Sequence, residues 1–208
     1  MNKLAFIGAG SHADAVLPVV NRNEFNFVGF FDDKGDTERN GYPILGRIDE
    51  VEAFLEAGKI DWIFITIGEN QKRAEIFNQL KDKYYDRFIN IISNHAYILT
   101  ESSIQGRGIF IGISSFLGAQ AVIKDNSIIN TGAIVEHHTI INKHCNICPN
   151  ATINGYGEIG EGAYIGSGSI TIQVVTIPKW TMIGAGATVV KSLSESGTYV
   201  GVPAKKIK

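Results

Sequence analysis

An aliphatic residue recurs every six positions through the second half of the chain, and this period constrains the fold more than any other feature. Thirteen of the fourteen positions from residue 111 to residue 189 are aliphatic, and Thr171 is the exception. A helix turns about 240° in six residues, so the aliphatic row would not face one core. In a strand, residues an even number apart point to the same side. The pattern therefore predicts a stack of short strands, each followed by a corner.

The positions beside the aliphatic row support this interpretation. The residue two places earlier is mostly small, as at Ala121, Ala133 and Ala151, so one large and one small side chain per hexad would fill a narrow core. The residue directly after the aliphatic one is often glycine or asparagine, as at Gly118 and Asn130. Both residue types tolerate positive φ, and we expect them to adopt it at the corners.

The first ninety residues follow a different pattern, in which strands alternate with helices. Such alternation predicts a parallel sheet. The predicted strands cover residues 3–7, 27–31, 62–67 and 90–92, and the predicted helices cover residues 12–22, 51–57 and 71–84.

A glycine-rich turn joins the first strand to the first helix. Its backbone N–H groups, between Gly8 and Gly10, suit a phosphate. Asp32, about twenty residues further on, suits a ribose or sugar hydroxyl. Ninety residues hold only half of a doubly wound dinucleotide domain, which favours a mononucleotide-sized ligand such as a nucleotide sugar. The alternative is that Gly8 and Gly10 only permit a tight turn.

Composition excludes several classes of protein. The net charge is −2, which gives no electrostatic case for nucleic acid. No apolar run suits a signal peptide or a membrane span, so we expect a cytoplasmic protein without membrane insertion. Cys145 and Cys148 form the chain's one CxxC pair, and their repeat positions should point them in different directions. We therefore expect no metal or redox site there.

Several motifs, in this order, resemble the NeuD/PglD type of sialic-acid O-acyltransferases and nucleotide-amino-sugar N-acetyltransferases. They lie at residues 8–12, 30–33, 41–46, 67–70 with Arg73, 130–137 and 201–205. The resemblance covers essentially the whole chain. It implies an α/β half-Rossmann domain over residues 1–93 that binds a nucleotide sugar. A left-handed parallel β-helix with a C-terminal tail would follow over residues 94–208. It also implies a homotrimer with active sites between neighbouring β-helices and acetyl-CoA along the groove.

The resemblance also assigns roles to individual residues. His137 would be the general base, because histidine titrates near neutral pH and can accept a proton. Glu136 beside it would orient the substrate or be a solvated charge. Gly155, one coil further on, would present an oxyanion-stabilising N–H, either beside His137 in the same chain or across the groove from a neighbour. The cofactor contacts would be Asn130, Asn146, Gly166, Ser167, Ala185 and Lys205. The nucleotide contacts would be Gly8, Gly10, Ser11, His12, Asp32, Asp33, Gly68, Asn70 and Arg73.

Two positions depart from the family pattern. His138 follows the expected base where relatives often carry an acid, and Asn146 stands where many carry a second histidine. Asparagine can hydrogen-bond but does not titrate near pH 7. His138 could compensate for this second departure, or the acceptor could differ.

The expected function is acetyl-CoA-dependent N-acetylation of a UDP- or dTDP-linked 4-amino-4,6-dideoxy sugar for surface glycan biosynthesis. O-acetylation of sialic acid or a related sugar is the alternative. A non-catalytic β-helix binding protein is a more distant one. A zinc-dependent carbonic anhydrase of the γ type could use histidines among His95, His137, His138 and His144, but their spacing resembles that family poorly.

Overall fold

The computed structural model describes residues 2–100 and 103–208. The chain divides into two compact units at Ile91/Ile92. This division lies two residues before the predicted boundary. No helix among the described residues has both the length and the apolar composition needed to cross a bilayer.

The N-terminal unit is a five-stranded sheet with helices in its connections. Its order is β3-β4-β2-β1-β5, and every pair is parallel except β3 with β4. The strands are β1 (Asn2–Ile7), β2 (Phe25–Phe31), β3 (Glu38–Arg39), β4 (Tyr42–Gly46) and β5 (Trp62–Ile65). The α-helices are α1 (Ser11–Val16), α2 (Val51–Glu56) and α3 (Asn70–Tyr84), with 3₁₀ turns at Leu17–Val19, Ile48–Glu50 and Tyr85–Arg87.

The central strand β1 is buried on both faces, as expected for a parallel sheet covered on both sides. Ala5 and Ile7 pack in one cluster with residues of α3 that include Ile76 and Leu80. On the opposite side, the ring of Phe6 lies 4.7 Å from that of Phe27. Because β1, β2 and β5 are parallel, their carboxyl ends meet at one edge, where loops carry the candidate nucleotide residues.

Three details of this unit differ from the sequence prediction. The strand predicted at residues 90–92 forms as Ile91–Ile92, but it belongs to a sheet of the second unit. The helix predicted to reach residue 22 ends at Val16 and continues as a 3₁₀ turn that contains Pro18. Proline has no N–H to donate and its ring crowds the preceding turn, so an α-helix does not continue through it easily. The strands β3 and β4 were not predicted, because β3 consists of two polar residues and β4 contains Pro43, which argues against a strand at the level of sequence.

The second unit is a prism built mainly of two-residue strands. Between residues 110 and 189 every strand pairs in parallel with a strand 18 residues away, and the last two strands, Thr198–Val200 and Lys205–Lys206, pair antiparallel. Ile129, for example, lies between Ile111 and Ile147. Three sheets result, with orders β6-β8-β11-β14-β17-β20-β22-β23, β7-β9-β12-β15-β18-β21 and β10-β13-β16-β19. The strands are β6 (Ile91–Ile92), β7 (Tyr97–Ile98), β8 (Phe110–Ile111), β9 (Phe116–Leu117), β10 (Val122–Ile123), β11 (Ile128–Ile129), β12 (Ile134–Val135), β13 (Ile140–Ile141), β14 (Asn146–Ile147), β15 (Thr152–Ile153), β16 (Glu158–Ile159), β17 (Tyr164–Ile165), β18 (Ile170–Thr171), β19 (Thr176–Ile177), β20 (Met182–Ile183), β21 (Thr188–Val189), β22 (Thr198–Val200) and β23 (Lys205–Lys206).

The two predicted inward rows form the core of this prism. The aliphatic row is fully buried, and so is the small row that contains Ala133, Cys145 and Ala151. The thiol of Cys145 lies inside, 3.1 Å from the carbonyl oxygen of Gly160, whereas Cys148 lies at a corner with its sulfur 3.7 Å from Oδ1 of Asn146. The two cysteines are not disulfide-bonded. They therefore pack in separate environments.

The predicted place of positive φ was wrong. The left-handed residue is the third after the aliphatic one, as at Asn126 and His138, whose φ values are 54° and 58°. Glycines directly after the aliphatic residue serve a different purpose, close approach between coils. A Cβ on Gly118 would lie 2.5 Å from the backbone nitrogen of His137. Asparagine in that place bonds the next coil instead, since Nδ2 of Asn154 donates to the carbonyl oxygen of Thr171 at 2.7 Å.

Candidate functional site

The N-terminal unit has a cavity of about 430 Å³ at the carboxyl edge of β1, β2 and β5. It is lined by seven of the nine predicted nucleotide contacts, namely Gly8, Gly10, Ser11, His12, Asp32, Asp33 and Gly68. Sequence reasoning did not find five further lining residues, which are Lys34, Ile48, Thr66, Ile67 and Glu69. Four of them stand in the loops that follow β2 and β5, so the strand ends were the signal that could have located these four, and Ile48 lies in the 3₁₀ turn after β4.

Gly8 forms the floor of this cavity, and no other residue fits there. Its φ is 105°, and an added Cβ would lie 2.7 Å from Cγ1 of Ile67. The N–H of Gly8 donates to the carbonyl oxygen of Phe31 at 2.8 Å, and the carbonyl oxygen of Gly8 accepts the hydroxyl of Thr66. These bonds fix the turn against both neighbouring strands.

Asp32 has a structural role that the sequence did not reveal. One carboxylate oxygen accepts the N–H of Ala9 at 2.7 Å, and the other accepts the N–H of Lys34 at 2.9 Å. The side chain therefore ties the glycine-rich turn to the loop after β2. Each carboxylate oxygen has a second lone pair, so a bond to a sugar hydroxyl stays compatible with this arrangement and stays a prediction. Asp33 accepts the N–H of Ile48 at 3.1 Å.

Arg73 and Asn70 lie beneath the cavity and do not line it. Arg73 is only 1% exposed. Its guanidinium donates to the carbonyl oxygens of Ile67 and Gly68, at 3.1 Å each, and to Oδ1 of Asn70 at 2.8 Å. The predicted direct contact with phosphate therefore becomes, in our interpretation, a supporting role: the cation holds the loop and adds positive potential beneath it.

His12 is a neutral ring at physiological pH. Burial, and then the nearby charge of Arg73, lower its pKa from 6.5 to about 4. Desolvation and a neighbouring cation both disfavour the imidazolium. His12 can therefore offer a hydrogen bond to a ligand in the cavity but not a positive charge.

In the β-helix, His137 lies on an exposed corner with its ring over Gly155 of the next coil. A Cβ on Gly155 would lie 2.6 Å from Cε1 and 2.8 Å from Nε2 of that ring. Gly155 therefore stands beside His137 within the same chain, which was one of the two predicted arrangements. None of the described residues accepts a hydrogen bond from the Gly155 N–H. That group stays available for the oxyanion role, which remains a prediction.

Two aromatic neighbours surround the His137 ring. Nδ1 of His137 lies 3.1 Å from Nδ1 of His138, within hydrogen-bonding distance. The ring of His138 stacks on Tyr156 with centroids 4.6 Å apart and an interplanar angle of 14°. Tyr156 also meets His137 edge to face at 5.2 Å. Glu136 makes a different contact, since its carboxylate accepts the backbone N–H of His137 at 3.3 Å.

The predicted cofactor residues gather at a different corner of the prism. Asn130 and Gly166 occupy the same corner position two coils apart, and Ser167 and Ala185 occupy the next position one coil apart. Asn146 lies on the strand that leads to this corner, is 7% exposed, and contacts Cys148. Lys205 lies in an exposed C-terminal strand that lines a cavity of about 760 Å³.

One flat face of the prism separates the cofactor corner from His137. The face carries β12, β15 and β18, and the chain crosses it between Asn130 and Glu136. Six residues at about 3.3 Å each give a span of at most roughly 20 Å. The structure thus brings His137, Glu136 and Gly155 together, and it places the cofactor residues apart from them in the same chain.

No group of three His, Cys, Asp or Glu side chains within residues 2–100 and 103–208 could hold a metal ion. His144, one of the histidines considered for zinc, is buried, with Nδ1 2.9 Å from the amide nitrogen of Asn126. This pairing gives His144 a part in the corner's packing.

Comparisons with known proteins agree with both units. The PglD N-terminal domain family matches residues 3–80. The acetyltransferase domain of PglB from Neisseria gonorrhoeae is similar over the full length of both chains, with 30% identity and a TM-score of 0.92. The same domain in complex with acetyl coenzyme A matches with 28% identity and a TM-score of 0.91.

Two further matches extend this picture. PerB from Caulobacter crescentus, solved with CoA and GDP-perosamine, is 29% identical, with a TM-score of 0.90 over 100% of this chain and 98% of the other. An uncharacterised protein of Acanthamoeba polyphaga mimivirus is 35% identical over 110 residues, which span 52% of this chain but only 21% of the viral protein. Together with the strand pattern, these matches confirm the predicted half-Rossmann domain followed by a left-handed parallel β-helix.

Proposed function

This chain belongs to the NeuD/PglD-type family of hexapeptide-repeat sugar acyltransferases, and we propose that it transfers an acetyl group from acetyl-CoA to the amino group of a nucleotide-linked sugar. The observation that carries the proposal is the full-length match to PerB, a chain of the same fold that holds both CoA and GDP-perosamine. Both halves of this chain have a counterpart in that protein, which supports a binding place for each kind of ligand here.

The nucleotide would bind in the cavity at the end of β1. The N–H groups of Gly8 and Ala9 already donate to Phe31 and Asp32, so the N–H groups of Gly10 and Ser11, at the start of α1, would meet a phosphate. Arg73 supplies a buried positive charge beneath the loop at Ile67 and Gly68. A diphosphate bound there would orient the sugar through interactions remote from the reacting amine.

His137 would act as the general base. The amine nitrogen attacks the thioester carbon and loses a proton to Nε2 of His137. The carbon–sulfur bond then breaks, and the protonated His137 returns this proton to the sulfur, so that CoA leaves as the thiol. Nε2 lies beside the side-chain-free Gly155 on an exposed corner, so a substrate can approach it. The N–H of Gly155, on the coil beside that ring, would stabilise the oxyanion.

We propose a homotrimer in which each active site combines two chains. The support is the face that separates the cofactor corner from His137 within one chain. If the cofactor corner of one subunit, which includes Ala185, faces the corner with His137 on the next subunit, the cofactor residues and the catalytic residues meet across a groove. Sedimentation equilibrium tests the trimer, and a monomer at assay concentration would contradict it.

The acceptor is expected to be a UDP- or dTDP-linked 4-amino-4,6-dideoxy sugar, and the PerB match adds GDP-linked amino sugars to the candidates. The assay follows release of the CoA thiol with all three nucleotide classes and with sialic acid. His137→Ala should lower kcat by about 10²–10⁴-fold with the same melting temperature. The matched control is His95→Ala, at another exposed histidine. Release with sialic acid alone would move the protein to O-acetylation.

Complementation tests the shared site. Ala185→Glu puts a negative charge where the CoA phosphates would approach, so this variant and His137→Ala should each be inactive alone. Co-expressed, they should regain a measurable fraction of wild-type activity, because some sites then contain neither change. Mixed trimers without regained activity would mean that each site lies within one chain.

A further inference from the structure

We propose that His138 is a positioning residue for His137, so that two adjacent histidines act as the base unit of the proposed acetyl transfer. The inference rests on the proposed function for its catalytic part and on geometry for the rest. The two Nδ1 atoms are 3.1 Å apart, a distance at which one ring must donate and the other accept.

The direction of this hydrogen bond decides whether His137 can accept a proton. If Nδ1 of His137 carries the hydrogen and donates to His138, then Nε2 of His137 keeps its lone pair and can act as a base. In the reverse direction Nε2 carries the hydrogen and cannot. The first arrangement also stays intact after proton uptake, because an imidazolium still donates from Nδ1 to a neutral His138.

No carboxylate competes for this contact among the described residues. Glu136, the nearest acid in sequence, accepts the backbone N–H of His137 and not a ring nitrogen. His138 therefore occupies the place of an orienting group and provides an acceptor without a negative charge.

Tyr156 holds the His138 ring in the orientation that this bond requires. The two rings are nearly parallel, at 14°, with centroids 4.6 Å apart. Both residues adopt left-handed backbone, with φ of 58° each. Such values are rare for aromatic residues, so the stacked pair is present against its local backbone preference. His138 lies one coil of 18 residues before Tyr156, so the stack follows directly from the period of the repeat.

The variants that test this inference keep the backbone unstrained. His138→Asn retains an acceptor, because Oδ1 of asparagine is bonded to Cγ just as Nδ1 of histidine is, and asparagine tolerates left-handed φ. His138→Gly tolerates the same φ but deletes the acceptor. Gln120→Gly, at the same turn position one coil earlier with φ of 60°, is the matched control for glycine at such a corner.

Nitrogen-15 NMR of the ring nitrogens gives a readout that does not depend on activity. The wild-type protein should show His137 with hydrogen on Nδ1 and an unprotonated Nε2. His144 is an internal reference of the opposite kind, since its Nδ1 faces the amide nitrogen of Asn126 and should be unprotonated. His138→Gly should abolish the preference at His137 and leave His144 unchanged. A wild-type His137 with hydrogen on Nε2 would overturn the proposal.

Kinetics then connects the tautomer to turnover. His138→Gly should lower kcat at least about tenfold with KM within about twofold, His138→Asn should stay within about threefold of wild type, and Gln120→Gly should match wild type. Equal losses in the asparagine and glycine variants would refute the positioning role. If the wild type acetylates no acceptor, the proposed function fails, and the NMR result still decides whether the histidine pair exists as described.

Discussion

Replacing Gly155 with alanine tests the placement of His137 most directly. The added Cβ would lie 2.6, 2.8 and 3.2 Å from Cε1, Nε2 and Nδ1 of the His137 ring, its three nearest atoms. Carbon and nitrogen atoms pack at about 3.5–4.0 Å, so the ring must move by about 1 Å. The backbone gives no reason for strain, because Gly155 does not have positive φ.

A displacement of about 1 Å at the reacting group costs on the order of 10²-fold in rate. This corresponds to about 2.7 kcal/mol in the activation free energy. The fold should tolerate the change, because the ring is exposed and can swing outward, and the loss of a glycine's unfolded-state entropy contributes about 0.4–1 kcal/mol in the opposite direction. Gly155→Ala should therefore lose kcat/KM in the thiol-release assay while its melting temperature moves by only a few degrees.

The control is the same substitution in a His137→Ala background. With the ring absent, the clash has no partner, so Gly155→Ala should then be neutral or stabilising by about 0.4–1 kcal/mol. Alanine also keeps the backbone N–H, which separates ring displacement from loss of the oxyanion donor. Wild-type activity in Gly155→Ala would refute the proposal that His137 acts as the base from its position over this glycine.

Three further predictions concern the N-terminal cavity. The pKa of His12 is lowered to about 4 in the folded protein, so as the pH falls the unfolded chain binds this proton before the folded chain does. The free energy of unfolding, measured with urea, should be at its full value above pH 6.5 and should fall by about 3 kcal/mol as the pH drops through 4. His12→Gln should remove this pH dependence. Arg73→Lys replaces a planar guanidinium, whose two NH₂ groups reach three acceptors, with a point-like ammonium that is not pre-organised for them. KM for the nucleotide sugar should therefore rise about tenfold while KM for acetyl-CoA stays unchanged, and an equal rise in both would contradict the supporting role. Asp32→Asn keeps the size of the side chain but puts an amide N–H₂ against a backbone N–H, so one of the two hydrogen bonds is lost. Chemical unfolding should show a free energy of unfolding that is lower by about 1–3 kcal/mol.

The repeat could be predicted in detail because its cause is simple. A core two residues deep on every face admits only one large and one small inward side chain per hexad, so the rows at Ile129 and Ser127 follow from chain geometry. The corner conformation could not be assigned in the same way. Gly118 signals a special position, but the sequence does not say whether the reason is its φ or the space that it leaves, and the answer is space.

In the N-terminal unit the sequence located the cavity but not the way it is supported. A glycine-rich turn after one parallel strand and an acidic residue after another predict a ligand site, because the carboxyl ends of parallel strands lie at the same edge of the sheet. The burial of Arg73 follows from the loop carbonyls at Ile67 and Gly68, which only the folded chain brings to the guanidinium. Charged residues are rarely buried, so a direct ligand contact was the natural expectation for Arg73.

The 18-residue coil explains how a repetitive fold can carry one unique site. Position two after the aliphatic residue holds a side chain in thirteen of the fourteen hexads and glycine only at Gly155. Because residues 18 apart lie side by side, that single gap receives the ring of His137. At the next position of the hexad, the neighbouring coil provides a ring instead of a space, because Tyr156 stacks on His138. Gly155 leaves space for the ring of His137, and Tyr156, the next residue, stacks on the ring of His138. Substitutions of Gly155 and Tyr156 should therefore lower activity as strongly as substitutions of the two histidines.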